Sequence, residues 1–369
     1  MIDAFFKLPD FGNKFYLIRA IRLSLSFFAC FVFIDVFEMS AVNGYAFFLG
    51  LLITAISDRS RSFQYRIRFS FSLLISIFAL GLVEHMLEHF SNGQLIFIPF
   101  FVFIAYLLSF RFAEGNFFFS ALLLSYSFML PISLDDSSIW FFLAHFMLGG
   151  LWFIITMVFG FSVYLYFYEK KEKREIAKLF FIDHSTSVFS RYQFFVKGDQ
   201  AKRSLLKELD GKLLTSHPFR LVISLLISFI VMDSIHQNQS YWIMLTVVLI
   251  HNPSHQISAG LPKIFQRLLG TSIGLLFALP LVLFQNMMGV DYILIAFSAF
   301  MIFISIRDNY FFAVIFITLL VMTSMHLENQ LTIPLYLERL IDTGIAIAIV
   351  LGVHLCIVLA EKAQQLISK

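Results

Sequence analysis

The chain has 369 residues, of which 59% are hydrophobic and only 14% charged, with 49 Phe and a formal net charge of +3. A soluble domain of this length needs far more charge to cover its surface, so a soluble globular protein is excluded and the class is an all-α polytopic membrane protein. The small net charge gives no argument for nucleic acid as a partner.

In chain order the apolar runs predict twelve helices. They cover 17–37, 43–57, 67–89, 94–110, 116–133 and 138–167, then 219–235, 240–252, 264–288, 291–306, 309–326 and 335–360. Several fall short of the roughly 20 residues that a perpendicular span requires. The second helix of each set is the shortest, Gly44 to Ser57 and Tyr241 to His251, and the latter runs into His251-Asn252-Pro253. Proline donates no backbone hydrogen bond, so a break is expected there. Asp3, Lys7, Asp10 and Lys14 suit a short cytosolic leader better than a signal peptide. Between the two sets, 169–218 opens on Glu169-Lys170-Lys171-Glu172-Lys173-Arg174-Glu175. It reads as a partly helical cytosolic linker, its basic face either on anionic lipid or in water.

With the N-terminus inside, 26 of the 27 Lys and Arg fall in inner segments, while the outer turns hold Asp35, Glu38, Glu84, Glu88, Asp135, Asp136, Asp233, Asp291, Glu328 and Glu338. A wrong helix count would scramble this segregation. Both termini are therefore expected in the cytosol, and the one basic residue left over is Arg339.

The chain repeats at a spacing of about 195 residues. Tyr45 answers to Tyr241, Arg68 to Arg267, Ser109-Phe110-Arg111 with Asn116 to Ser305-Ile306-Arg307 with Asn309, and Gly150 to Gly344. The expected organisation is two homologous six-helix halves, 1–168 and 219–369, joined by the linker 169–218. Repeated membrane units commonly hold a transport site between related helices, and short or broken helices at matching places point to it.

Arg339 and, three residues on, Asp342 share a face of the last helix. In one reading Arg339 holds an anionic substrate group and Asp342 orients it or carries a proton. In the other Arg339 snorkels outward and clamps Asp342 or Glu338. In Arg267-Leu268-Leu269-Gly270-Thr271-Ser272-Ile273-Gly274 the glycines form a small-xxx-small packing face, with Arg267 at its inner end. Arg339-Leu340-Ile341-Asp342-Thr343 shares its pattern on a helix entering from the opposite side, which suggests an inverted three-plus-three repeat. Arg111 and Arg307, in matching inner turns, either receive a cytosolic anion or only mark topology.

His251 and His255 frame the break at Pro253, either as a proton-coupling site or in a hydrated loop. His145, at the place of Arg339 in the other half, reads as buried and makes the two halves differ. His85, Glu88 and His89 have a zinc-peptidase spacing at an outer helix end with no third ligand, so no metal is expected. Cys30 and Cys356 read as small core residues. There is no phosphate loop, dinucleotide glycine pattern or nucleophile elbow, so no enzyme activity and no cofactor are expected.

Tyr241-Trp242-Ile243-Met244-Leu245-Thr246-Val247-Val248, Pro253, the Arg267–Gly274 run and Arg339–Thr343 together resemble the fusaric acid resistance protein-like (FUSC) family. That group includes aromatic acid exporters of bacterial inner membranes and is distantly similar to plant aluminium-activated malate transporters. The resemblance implies an inner (plasma) membrane protein that exports aromatic or other organic carboxylates, sometimes with a periplasmic adaptor protein. The linker of about 50 residues and an end just after the twelfth helix depart from the longer exporters and weigh against adaptor coupling.

The expected function is ion-gradient-driven efflux of a small organic anion. Arg339, Asp342, Arg267, Thr271, Tyr241, Trp242 and Arg307 would bind substrate, and Asp342 or His251 would couple protons. An anion channel, or an envelope-assembly scaffold docking through 169–218, are the competing readings.

Overall fold

The computed structural model describes residues 14–55, 63–88, 93–109, 115–129, 136–167, 217–235, 241–251, 260–283, 288–306, 309–327 and 331–367. Within them the chain forms twelve α-helices and no strand. They are α1 (Lys14–Val36), α2 (Ala41–Ala55), α3 (Phe63–Glu88), α4 (Gly93–Ser109), α5 (Gly115–Met129), α6 (Asp136–Phe167), α7 (His217–Ile235), α8 (Tyr241–His251), α9 (Gly260–Leu283), α10 (Met288–Ser305), α11 (Tyr310–Leu327) and α12 (Ile333–Ile367). Residues 169–216 of the linker, Arg111, Arg307, His255 and His89 lie outside the described residues, and His217 and Pro218, assigned to the linker, begin α7.

Short polar side chains set several helix ends. The Ser40 hydroxyl accepts the Asn43 N–H at 3.4 Å before α2, and Thr332 Oγ1 accepts the Leu335 N–H at 3.4 Å before α12. Asn309 Oδ1 accepts the N–H groups of Phe311 and Phe312 at 3.0 and 3.4 Å, capping α11. Beyond α1, Glu38 takes φ 47°, a left-handed position where glycine is usual. Inside the helices, Thr54, Ser70, Ser125, Ser127, Ser228 and Thr323 each donate to the carbonyl four residues back, so these buried hydroxyls are satisfied without water.

Seven helices, α1, α3, α6, α7, α9, α11 and α12, are long and apolar enough to cross a membrane, and α2, α4, α5, α8 and α10 are shorter apolar helices. The chain is a multi-pass membrane protein. α8 has only 11 residues, about 16 Å at 1.5 Å per residue, half the hydrocarbon thickness. In the first half α2 shares the shortest length, 15 residues, with α5.

Exposure separates the helices into two kinds. α1, α3, α4, α6, α7, α9, α10 and α12 each expose several large apolar side chains, such as Leu25, Ile75, Phe100, Phe159, Ile230, Leu276, Ile293 and Leu355. Among the described residues, α5, α8 and α11 expose none, and α2 exposes only Val42 at its start. The second and fifth helix of each half are therefore enclosed by protein, and the others turn an apolar face outward, as lipid requires. Cys30 is buried, but Cys356 lies on the exposed face of α12 and is not a core residue. His145 is half-buried rather than buried, its Nδ1 on the Phe141 carbonyl at 2.7 Å.

The helices form two compact units, Phe37–Asp210 and Met1–Val36 together with Gly211–Lys369. By packing, α1 thus belongs with the C-terminal helices. Ser24 Oγ donates to the Ala296 carbonyl of α10 at 2.5 Å, Phe27 meets Phe303 at 5.8 Å, and the Arg19 guanidinium lies 5.9 Å from the Phe303 ring centre. In the first unit α2 packs on α6, α3 on α5 and α6, α4 on α5, and α2 on α3. In the second, α8 packs on α12, α9 on α11 and α12, α10 on α11, and α8 on α9. These five pairs recur at the same places in both sets of helices, whereas α3 on α4 and α2 on α5 in the first unit, and α7 on α8 and α12 in the second, do not match.

Candidate functional site

α12 has an inverted polarity. Leu337, Leu340, Ile341 and Gly344 are exposed, while Arg339, Asp342, Thr343 and Ala346 are buried. The 3.6-residue period puts these four on one face, so the polar stripe points into the protein. Arg339 is 2% exposed and does not snorkel. Its guanidinium carbon sits 3.1 Å from the ring centre of Trp242 on α8, a cation–π contact. Tyr241 stands beside Trp242, ring centres 4.6 Å apart.

Asp342, 1% exposed, is within Coulombic reach of Arg339 on the same helix face. Among the described residues, neither of its carboxylate oxygens has a hydrogen-bond partner. Thr246, one turn along α8 from Trp242, is 1% exposed with its hydroxyl also unbonded. Thr343 differs, donating to the Arg339 carbonyl at 2.9 Å. A buried carboxylate without hydrogen bonds is costly, and a nearby cation offsets only part of that cost. The arrangement suits a second occupant, either a proton on Asp342 or an anion on Arg339.

On the repeat expected from the sequence, the first half would carry no counterpart. Applying the repeat, Ala46 stands where Trp242 is, His145 where Arg339 is, Leu148 where Asp342 is, Gly50 where Thr246 is and Gly149 where Thr343 is. Gly50 is pressed on the Phe146 carbonyl oxygen and Gly149 on the Phe47 carbonyl oxygen, so α2 and α6 cross backbone on backbone. A side chain at either glycine would strike the facing backbone, and threonines at both equivalent places forbid such a crossing between α8 and α12. Gly150, against Leu74, and Gly344, with open space around it, do not share an environment.

A second polar cluster lies at the basic end of α9. Arg267 and Thr271, one turn apart, are each 1% exposed. The Arg267 guanidinium faces the Tyr310 hydroxyl at the start of α11. Arg267 Nε and Nη1, Thr271 Oγ1 and Tyr310 Oη form no well-shaped hydrogen bond among the described residues. Gly270 and Gly274 hold α9 close to α11, where added side chains would meet Val314, the Ile315 carbonyl and Thr318. The glycines pack helices, and Asn309 is a helix cap.

His251 ends α8. Its Nδ1–H donates to the Val247 carbonyl at 3.0 Å, which leaves Nε2 to accept from Ser224 Oγ of α7 at 3.4 Å. It therefore links α7 to α8 and is not placed with Arg339.

One pair escaped the sequence reading. His326 Nδ1 lies 2.9 Å from Asp291 Oδ2, joining the acidic end of α10 to that of α11. A helical hairpin sets residues equidistant from its turn side by side. Asp291 and His326 lie within two residues of the same distance from the turn at 306–309, so counting along the hairpin brings them near one another without fixing the contact.

Two comparisons bear on these helices. Residues 225–353 match the fusaric acid resistance protein-like family. The match begins inside α7 and includes α8 to α11 and α12 as far as Val353, so it contains the Arg339 pocket, the Arg267 cluster and the Asp291–His326 pair. An uncharacterised protein of Haemophilus influenzae is 29% identical over 133 residues, 36% of this chain and 18% of that relative. The chain thus spans under a fifth of that relative in the aligned stretch. No solved structure matches.

Proposed function

We propose that the protein is a membrane carrier that exports small organic anions, aromatic carboxylates foremost, through a single pocket in its C-terminal half. One observation carries the reading: a buried arginine stacked on a tryptophan, beside a buried carboxylate lacking hydrogen bonds, at the start of a helix too short to span. The Trp242 ring would hold the Arg339 cation in place, and a guanidinium is suited to take a carboxylate in a bidentate fork. Tyr241 and Trp242 offer apolar area for a ring, and Thr246 a hydroxyl.

Asp342 would be the resident counter-ion of Arg339. A substrate carboxylate competes with it for the same guanidinium, so anion binding is easiest when Asp342 carries a proton. With the termini in the cytosol, as the basic residues favour, the inside-negative potential drives an anion outward by about 2.3 kcal/mol per 100 mV. Arg267 with Thr271 and Tyr310 would form an anion-attracting stop nearer the cytosol. The five matching helix pairs favour descent of the halves from one duplicated unit, of which only the second kept a pocket.

Tryptophan fluorescence tests the pocket. Purified protein titrated with 4-hydroxybenzoate is expected to show saturable quenching that is lost in Arg339→Ala and in Trp242→Phe. Equal quenching in the wild type and in correctly folded Arg339→Ala would overturn the assignment.

A further inference from the structure

Exchange of an incoming proton for an outgoing anion requires a proton site apart from the anion site. Asp342 cannot serve alone, because its protonation favours anion binding and so moves both in the same direction. A second buried acid–base contact is that of Asp291 with His326. Asp291 is 1% exposed, and its second oxygen, Oδ1, has no hydrogen-bond partner among the described residues. Asp291 lies in the first turn of α10 and His326 is the last residue but one of α11, so the pair sits where both helices reach the acidic face.

We infer that Asp291 and His326 form a proton-binding site, separate from the Arg339 pocket, that takes one proton from the aqueous phase on the acidic side. The inference rests on the carrier reading for its role in transport, but not for the binding itself. In the unloaded pair, neutral His326 donates Nδ1–H to Asp291 Oδ2, and the pair has charge −1. The incoming proton adds to the lone pair of Nε2, which makes no hydrogen bond among the described residues and belongs to a side chain 10% exposed. The loaded pair is an imidazolium–carboxylate of net charge zero, and its hydrogen bond becomes charge-assisted. Loss of the proton to water reverses the step. Neutralising a buried −1 favours loading in a medium of low dielectric, and the stronger bond then fastens α10 to α11.

The surroundings suit this role. Tyr292, next to Asp291, is hydrogen-bonded to Asp35 of α1 and lies in Coulombic reach of both acids. α9, packed on α11, offers only apolar side chains over Ala278–Leu283. Asp291 is thus the carboxylate that meets the imidazole, with Asp35 one residue further along the Tyr292 hydrogen bond. α11 itself is enclosed by protein and carries Tyr310, which faces Arg267, at its other end. One helix therefore connects the proton pair with the basic-end anion cluster.

Full-length protein with 15N-histidine in lipid nanodiscs tests the binding. The His326 signal is identified by its loss in His326→Gln. The expected result is one Nδ1–H tautomer at high pH and a single protonation at Nε2 as pH falls, with a different response in Asp291→Asn. A His326 that stays neutral to pH 5, or titrates identically in Asp291→Asn, would overturn the site.

The transport role is read separately in liposomes containing pyranine. Asp291→Asn and His326→Gln are expected to keep 4-hydroxybenzoate counterflow within about twofold while losing the proton movement that accompanies net export. Unchanged proton movement would overturn the role. Absence of counterflow in the wild type would instead defeat the carrier reading, with the nitrogen titration still deciding the proton site.

Discussion

The Arg339 guanidinium lies 3.1 Å from the ring centre of Trp242, and both side chains are almost wholly withdrawn from the surface. A cation held against a ring keeps its position when an anion beside it is exchanged, as a reusable anion site requires.

That relationship sets the first expectation. Trp242→Leu removes the stacking surface but leaves the charge. Cation–π contacts contribute about 0.5–2 kcal/mol, so the half-saturation concentration of anion counterflow should rise by roughly 2- to 30-fold with the protein still folded. An unchanged half-saturation would mean that the ring does not position the arginine.

Asp342 gives the second. As the competing counter-ion it weakens anion binding when ionised, so wild-type affinity should fall as pH rises. In Asp342→Asn the competitor is gone, and anion affinity should be flat with pH and no weaker than the best wild-type value. Fluorescence quenching from pH 5 to pH 9 would read this, and a parallel slope in both proteins would remove Asp342 from the pocket.

The glycines give the third. Gly50→Ala and Gly149→Ala force a methyl group against the backbone of the facing helix and should destabilise the first unit by about 1–3 kcal/mol each. Gly344→Ala, with open space around it, should be neutral or slightly stabilising. Thermal unfolding in detergent would rank the three. A tolerant Gly50 would mean that α2 and α6 do not cross backbone on backbone.

Glu38 gives the fourth. A left-handed φ costs a residue with a Cβ, so Glu38→Gly should stabilise the protein by a few tenths to about 1 kcal/mol, seen as a higher unfolding midpoint. A lower midpoint would mean that the Glu38 side chain makes a contact worth more than the strain.

The helices were legible because long apolar runs are interrupted by charge, Gly and Pro, and their ends differ from expectation mostly by a turn or less. Arg339 and Asp342 were legible because lone charges in an apolar helix must face protein. The stacking partner was not, since Tyr241-Trp242 reads equally well as an interfacial anchor. The closed crossing at Gly50 and Gly149 was invisible because a small residue announces close approach without naming what approaches. Asp291 was read as a marker of the outer turn, and only the hairpin geometry of α10 and α11 brings it to His326. The place of α1 beside α10 is equally unreadable, since a repeat reports which residues correspond and says nothing of which helices touch.

Transport itself is the most direct test. Purified protein in liposomes loaded with 4-hydroxybenzoate would be assayed for counterflow of the radiolabelled anion, in wild type and in Arg339→Ala verified as folded. The expected result is saturable counterflow in the wild type and its loss in the variant. Saturable counterflow of equal size in both would contradict an anion pocket built on Arg339.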